Sequence, residues 1–279
     1  MRTLVAAFMT LVVTGLAGSA EAEPSVDPAL PLQGVGRASL VVTDPFVIVA
    51  FEQSDELTVT DADGTFLGEV TVVAPTDLAV DDGIVYVGSW RRHVIERFDV
   101  TSYPFTRLTP LTLPPDLAPT EIVVDGGRIW FATSCWKDGM RGTLASISLH
   151  GGEVDEVALP RIVREWNCML RLRASPLAPG RLYLSAENWP NGIFVLHVDG
   201  RRVRWAGDNA RPYSSADIAV IPGTRELVAA GSSGYQIYDA DTMATRGRYG
   251  STTFSGPMVS TDAAGGWFAI GDDSSTGQL

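Results

Sequence analysis

Three short phrases set a carboxylate at one recurring position: "PTDLAV" carries Asp77, "PTEIVV" carries Glu121 and "SADIAV" carries Asp217. Each stands where an apolar run begins. Carboxylates gathered from separate segments can ligate a hard cation such as calcium through oxygen. They can also perturb one another's protonation and serve as acid and base. The plainer alternative is that they are solvated or accept hydrogen bonds from neighbouring backbone amides. A second set is aromatic. Trp90, Trp136 and Trp189 close the runs "IVYVGSW", "IWFATSCW" and "LYLSAENW", with Arg92, Glu187 and Asn188 among their polar neighbours. Rigid rings flanked by polar groups suit stacking on a sugar or anchoring a peptide, because they bury area at small entropy cost. A repeated tryptophan can equally fill the gap between repeated structural units. Cys135 and Cys168 form the third set.

Other chemistry is not signalled. Two cysteines and three separated histidines, His93, His150 and His197, give no metal-ligand spacing. No metal or cofactor is therefore expected. The sequence lacks HExxH, P-loop, CxxC and GxSxG patterns, so no catalytic residue is assigned. "DADGTFLGE", from Asp61, begins like a calcium loop but lacks the third ligand before its glycine. It fits a hairpin turn instead.

The elements that must position these residues are strands. After Gly34 one phrase recurs: an alternating strand, a turn, a strongly apolar strand, a polar loop, and another apolar strand. The second strands are the clearest, in Phe46–Ser54, Ile84–Trp90, Ile129–Trp136, Leu182–Trp189, Leu227–Tyr235 and Trp267–Asp273. "DDG", "DGG", "APG", "PGT" and "AGG" precede five of them, and such turns suit hairpins. Four antiparallel strands over about 40–50 residues make a propeller blade. The expected fold is all-β: a β-propeller of four-stranded antiparallel blades over residues 37–279, with about five complete blades plus a partial sixth. A β-sandwich is the other architecture that alternating strands allow.

In a propeller, the loop from second to third strand and the link into the next blade emerge on one face. The innermost strands line the axis. Repeat phase therefore puts the three tryptophans and both cysteines on one face, and the three carboxylates at the axial end.

"PTDLAVDDGIVYVGSWRRHVIERFDV" and "PGRLYLSAENWPNGIFVLHVDG" resemble the repeats of YVTN/YncE-like bacterial β-propellers. The stretch "SPLAPGRLYLSAENWPNGIFVLHV" is also similar to secreted actinobacterial proteins in which such a propeller precedes Ig-like repeats. The resemblance spans about residues 37–279 and carries no catalytic motif, so it transfers no functional residue. The YVTN tetrapeptide itself is absent, and the third and fourth repeats carry long loops.

The N-terminus reads as an address. Arg2, an apolar stretch from Leu4 to Gly18 and the small-x-small triplet Ala20-Glu21-Ala22 form a secretory signal peptide over residues 1–22. The run is short for a membrane span, and no second one follows. Residues 23–36 form a Pro-rich lead-in. The expected location is secreted or extracellular, or periplasmic in a Gram-negative source. An exported chain with two cysteines favours a Cys135–Cys168 bridge; two buried thiols are the alternative. Net charge is −12, and it stays there without residues 1–22 because Arg2 and Glu21 cancel. That argues against a general nucleic-acid binder and against attraction to anionic lipid. The chain ends within its sixth repeat, after the second strand, which predicts continuation beyond Leu279. The expected function is a binding or display module for a protein, peptide or glycan. The alternative is a metal-dependent hydrolase or lyase with an axial acidic site.

Overall fold

The computed structural model describes residues 12–14, 38–52, 54–133, 142–159, 170–175, 178–186, 192–210, 215–221, 224–231, 234–249, 255–261 and 267–272. A short strand, β1 (Val12–Thr14), precedes five four-stranded sheets. The first contains β2 (Ala38–Thr43), β3 (Phe46–Phe51), β4 (Glu56–Asp61) and β5 (Phe66–Thr71). The second contains β6 (Pro75–Asp81), β7 (Ile84–Ser89), β8 (Val94–Asp99) and β9 (Thr106–Thr112). The third contains β10 (Glu121–Asp125), β11 (Arg128–Thr133), β12 (Thr143–Ser148) and β13 (Asp155–Val157). The fourth contains β14 (Leu170–Ala174), β15 (Arg181–Ala186), β16 (Gly192–Asp199) and β17 (Arg202–Ala210). The fifth contains β18 (Ser215–Ile221), β19 (Glu226–Gly231), β20 (Gly234–Asp239) and β21 (Thr245–Tyr249). Each sheet is an antiparallel meander in sequence order. No helix occurs among the described residues.

The first strands of successive sheets, β2, β6, β10, β14 and β18, pack against one another. The sheets are thus five blades of a β-propeller, with these strands innermost. The sixth repeat forms β22 (Ser255–Thr261) and β23 (Trp267–Asp272), with β22 packed against β18 and β19. This matches the expected partial blade. Its third strand is β1, which pairs antiparallel with β23 through Val12↔Ala269 and Thr14↔Trp267. That strand comes from the segment read as a signal peptide. A chain cut after Ala22 would lose it and expose the β23 edge.

Residue chemistry explains the layers. In the middle strands, side chains of both parities are apolar. Trp130 and Ala132 of β11 pack towards blade four, whereas Ile129 and Phe131 pack towards blade two. A strand buried on both faces must read as a continuous hydrophobic run rather than an alternating one. Each large core cluster accordingly lies between neighbouring blades. The fourth strands β5 and β9 form the outer edge, where all residues but Leu111 are exposed or half-buried.

Turn chemistry follows the same logic. Two-residue hairpins join β6 to β7 through Asp82 (φ 45°) and Gly83 (φ 72°), and β10 to β11 through Gly126 (φ 59°) and Gly127 (φ 72°). Two successive positive φ angles give the turn hand that matches strand twist. The Asp61–Gly64 segment is a hairpin turn: Asp61 Oδ1 accepts the amides of Asp63 at 3.0 Å and Thr65 at 2.7 Å. Its carboxylate is used as a turn residue uses it.

Gly180 has a φ of 79°, and a Cβ there would lie 2.5 Å from the carbonyl oxygen of Val198. Gly200 also has positive φ, at 57°, but nothing within 4 Å. Gly180→Ala should therefore destabilise the protein by about 2–3 kcal/mol, combining left-handed strain with a clash that the backbone must relieve. Gly200→Ala should cost only about 1 kcal/mol, for the strain alone. Thermal melts of the two variants test this; equal losses would remove the steric account.

Candidate functional site

The repeated acidic positions meet at the axis. Asp77, Glu121 and Asp217 lie on the innermost strands β6, β10 and β18, and all three are buried. They converge on Arg173 of the intervening β14. Its Nη1 lies 3.0 Å from Glu121 Oε2 and 3.8 Å from Asp77 Oδ2, and its Nη2 lies 3.0 Å from Asp217 Oδ1. Arg171 Nη1 approaches the other Glu121 oxygen at 3.3 Å. One glutamate thus bridges two guanidinium groups, and one guanidinium joins carboxylates from three blades.

Backbone and hydroxyl groups complete the cluster. Asp77 Oδ2 accepts the Ile122 amide of blade three at 2.8 Å. Its Oδ1 accepts the Ser39 hydroxyl of blade one at 2.5 Å, and that hydroxyl accepts the Leu78 amide at 3.2 Å. Asp217 Oδ1 accepts its neighbour's amide, from Ile218, at 2.9 Å. Carboxylates bonding nearby amides are the plainer alternative for these residues, and Asp77 and Asp217 have that geometry.

Local sequence explains why the acids sit here. In "PTD" and "PTE" the threonine hydroxyl turns inward: Thr76 donates towards Gly88 O at 3.1 Å and Pro119 O at 2.7 Å, and Thr120 donates to Ala132 O at 3.0 Å. These bonds hold the start of each inner strand against its own blade. The Thr76 hydroxyl also links blade two to blade three. The next residue, Asp77 or Glu121, then stands among the inner strands.

Arg171 and Arg173 were not picked out from sequence. Their signal is the alternation Leu170-Arg171-Leu172-Arg173. The leucines are fully buried in the core between blades three and four. The arginines take the other parity, where blades two, three and five present acids. Burial alone would make Arg173 easier to deprotonate, but Asp217, Glu121 and Asp77 outweigh it and hold its pKa above the ordinary arginine value. Because the folded value is the higher one, the stability from this charge is complete at any pH below the arginine range.

The tryptophan set is described in part. Trp90 follows β7 and is half-buried. Its amide donates to Ala74 O at 3.3 Å, and Pro75 pairs with Ser89, so Trp90 lies at the end of blade two where the Asp77 strand begins. The Arg91 guanidinium carbon sits 5.1 Å from the Trp90 ring centre. Arg92 is committed to a salt bridge, with Nη1 2.5 Å from the buried Glu96 Oε1. Arg107 approaches the second Glu96 oxygen at 3.5 Å. Nearby His93 holds Leu117 O through Nδ1 at 3.0 Å. Trp136, Trp189, Glu187, Asn188, Cys135 and Cys168 lie outside the described residues. No group of three or more His, Cys, Asp or Glu side chains poised to hold a metal ion occurs among the described residues.

Comparison with known proteins supports the architecture. No family model matches the sequence. No curated protein matches it either. A functionally unknown protein from Desulfotomaculum acetoxidans is similar in structure, with a TM-score of 0.64 at 12% identity over 84% of this chain and 77% of that one. Kuenenia stuttgartiensis hydrazine synthase gives a TM-score of 0.62 at 14% identity, covering 85% of this chain and 80% of that one. A putative 6-phosphogluconolactonase from Bacteroides fragilis gives 0.59 at 14% identity, covering 77% and 70%. At such identity these likenesses establish the propeller fold alone.

The axial network predicts a specific defect. Arg173→Met removes the shared cation and strands buried carboxylates, which should cost about 3–5 kcal/mol at neutral pH. Burial without a counter-charge raises a carboxylate pKa above its unfolded value, so ionisation then opposes folding as pH rises. The deficit relative to wild type should shrink as pH falls towards 4. Denaturant melts at pH 4 and pH 7 measure it; a deficit that grows on acidification would contradict the network.

Proposed function

We propose that this chain is an exported β-propeller whose axial end, carrying Trp90 and Arg92, docks a protein, peptide or glycan rather than running a reaction. The observation that carries this reading is the occupation of the axial carboxylates. Asp77, Glu121 and Asp217 face Arg173, and two of them also hold backbone amides. A hard cation would have to compete with a guanidinium already among its ligands. A general base here would need a carboxylate oxygen clear of these partners. The docking face draws further support from Trp90, half-buried beneath Arg91, at the same end of blade two as the start of the axial strand. A partly exposed aromatic among polar groups is the form that binding anchors take.

Export belongs to the same proposal, resting on the leader pattern in residues 1–22. With it goes the bridge between Cys135 and Cys168, for which an oxidising compartment is the physical requirement. Intact mass of the exported protein should correspond to a chain beginning at Glu23 and should rise by about two hydrogens on reduction. A mass that does not change on reduction would leave both cysteines as thiols.

Two measurements separate docking from catalysis. Melting temperature should be the same in calcium and in EDTA; a rise of several degrees with calcium would restore the metal-dependent alternative. Glycan and peptide arrays probed with the exported protein should yield ligands that the Trp90→Ala variant fails to retain, while its melting temperature falls only slightly. Undiminished binding by that variant would remove the docking role. Loss of folding would make Trp90 a packing residue.

A further inference from the structure

At the far end of blade four from the axial cluster, three strands bring basic groups into one row. Arg181 on β15 pairs with His197 on β16, and His197 pairs with Arg204 on β17. Arg202 lies two residues from Arg204 on the same strand face, opposite Asp199. An open groove of about 550 Å³ is lined by His197, Val198, Asp199, Arg202, Val203 and Arg204. We infer that this groove binds a tetrahedral oxyanion, a phosphate or sulfate group, gripped by the Arg202 and Arg204 guanidinium groups beside His197.

The arginine partners single this place out. Among arginines whose side chains are described, eleven of the thirteen hold a carboxylate, a carbonyl or an aromatic ring. Arg202 and Arg204 are the two that do not. Arg181 is already committed to blade five, with Asp241 Oδ1 at 3.3 Å and Asp241 O at 2.8 Å, so it contributes field rather than a free fork. Leaving two guanidinium groups unpaired is notable in a chain of net charge −12. A guanidinium fork matches the geometry of phosphate or sulfate oxygens, and such charge-assisted bonds are about twice as strong as neutral ones.

The electrostatics agree. Burial, then Arg181 and Arg204, hold the His197 pKa below its ordinary value. The charged groups facing that ring are Arg181 on β15, Arg204 and Arg202 on β17, and Asp199 at the end of its own strand, with Asp241 of blade five behind Arg181. Like charges are crowded here, and an anion between them would relieve the repulsion. The remaining acids of the molecule are screened beyond about 8 Å at physiological ionic strength.

The test follows the His197 ring resonances of the full exported chain by NMR, assigned with a His197→Gln variant. Sodium phosphate and sodium sulfate are titrated against sodium chloride at matched ionic strength. A saturable shift with phosphate or sulfate alone, and a higher His197 pKa at saturation, are the expected results. The Arg202→Gln/Arg204→Gln double variant should weaken binding at least about tenfold while melting like wild type. Glucose 6-phosphate beside inorganic phosphate separates the two sources: tighter binding of the ester marks a carried group, and equal binding marks the free ion. The same shift with chloride, or no loss in a folded double variant, would overturn the site.

Discussion

One guanidinium closes a problem that the propeller geometry creates. The inner strands converge on an axis where their polar side chains are crowded and shielded from water. Three blades present acids there, and burying unpaired carboxylates is costly. Arg173 meets all three at once, and Arg171 takes the remaining face of Glu121. Asp77 extends the chain of contacts to Ser39 and Ile122, so blades one to five join one polar network. The large apolar clusters lie between pairs of blades, whereas this network joins blades one to five. Hydrophobic residues of the same volume could stabilise the axis as well, whereas removing one charge from this network leaves its partners buried and unpaired.

Much of the architecture was legible because a propeller writes one pattern repeatedly. The blade phase and the glycine-bearing hairpins follow from that repetition. The strand boundaries confirm it: Ile84–Ser89 against the expected run ending at Trp90, and Trp267–Asp272 against one ending at Asp273. The equivalence of Asp77, Glu121 and Asp217 was legible for the same reason. Their meaning was not. A search for what repeats finds the acids and passes over the blade that differs, and the difference is where the counter-charge lies. The "LRLRA" run departs from "PTDLAV" and "PTEIVV" in just the property that neutralises them.

The aromatic set shows a second limit of phase. Position along a blade tells which end a residue occupies, but not what it touches. Trp90 does lie at the axial end of blade two. Arg92, its neighbour, is committed to Glu96, a buried acid two strands out from the axis. Its partner lies four residues ahead across a turn, a spacing that strand periodicity does not single out. The carboxylate of Glu96 is itself shared with Arg107, which stacks over Phe98 at 5.0 Å. Blade two therefore carries a buried acid held by two arginines, one of them stacked on a core ring.

Charge placement then divides the molecule functionally. Acids dominate the whole, yet wherever the described acids are buried they are matched: at the axis by Arg171 and Arg173, and in blade two by Arg92 and Arg107. The excess of negative charge lies at the surface, where it favours solubility and repels anions at long range. Against that background, the outer end of blade four is the exception, because two arginines there keep their forks unpaired. A propeller fold alone dictates neither feature, since the same scaffold carries many unrelated activities. What differs between such scaffolds is where the repeat is broken. In this chain blade four breaks it twice, with arginines at its inner strand that complete the fold and arginines at its outer strand that the fold leaves unused.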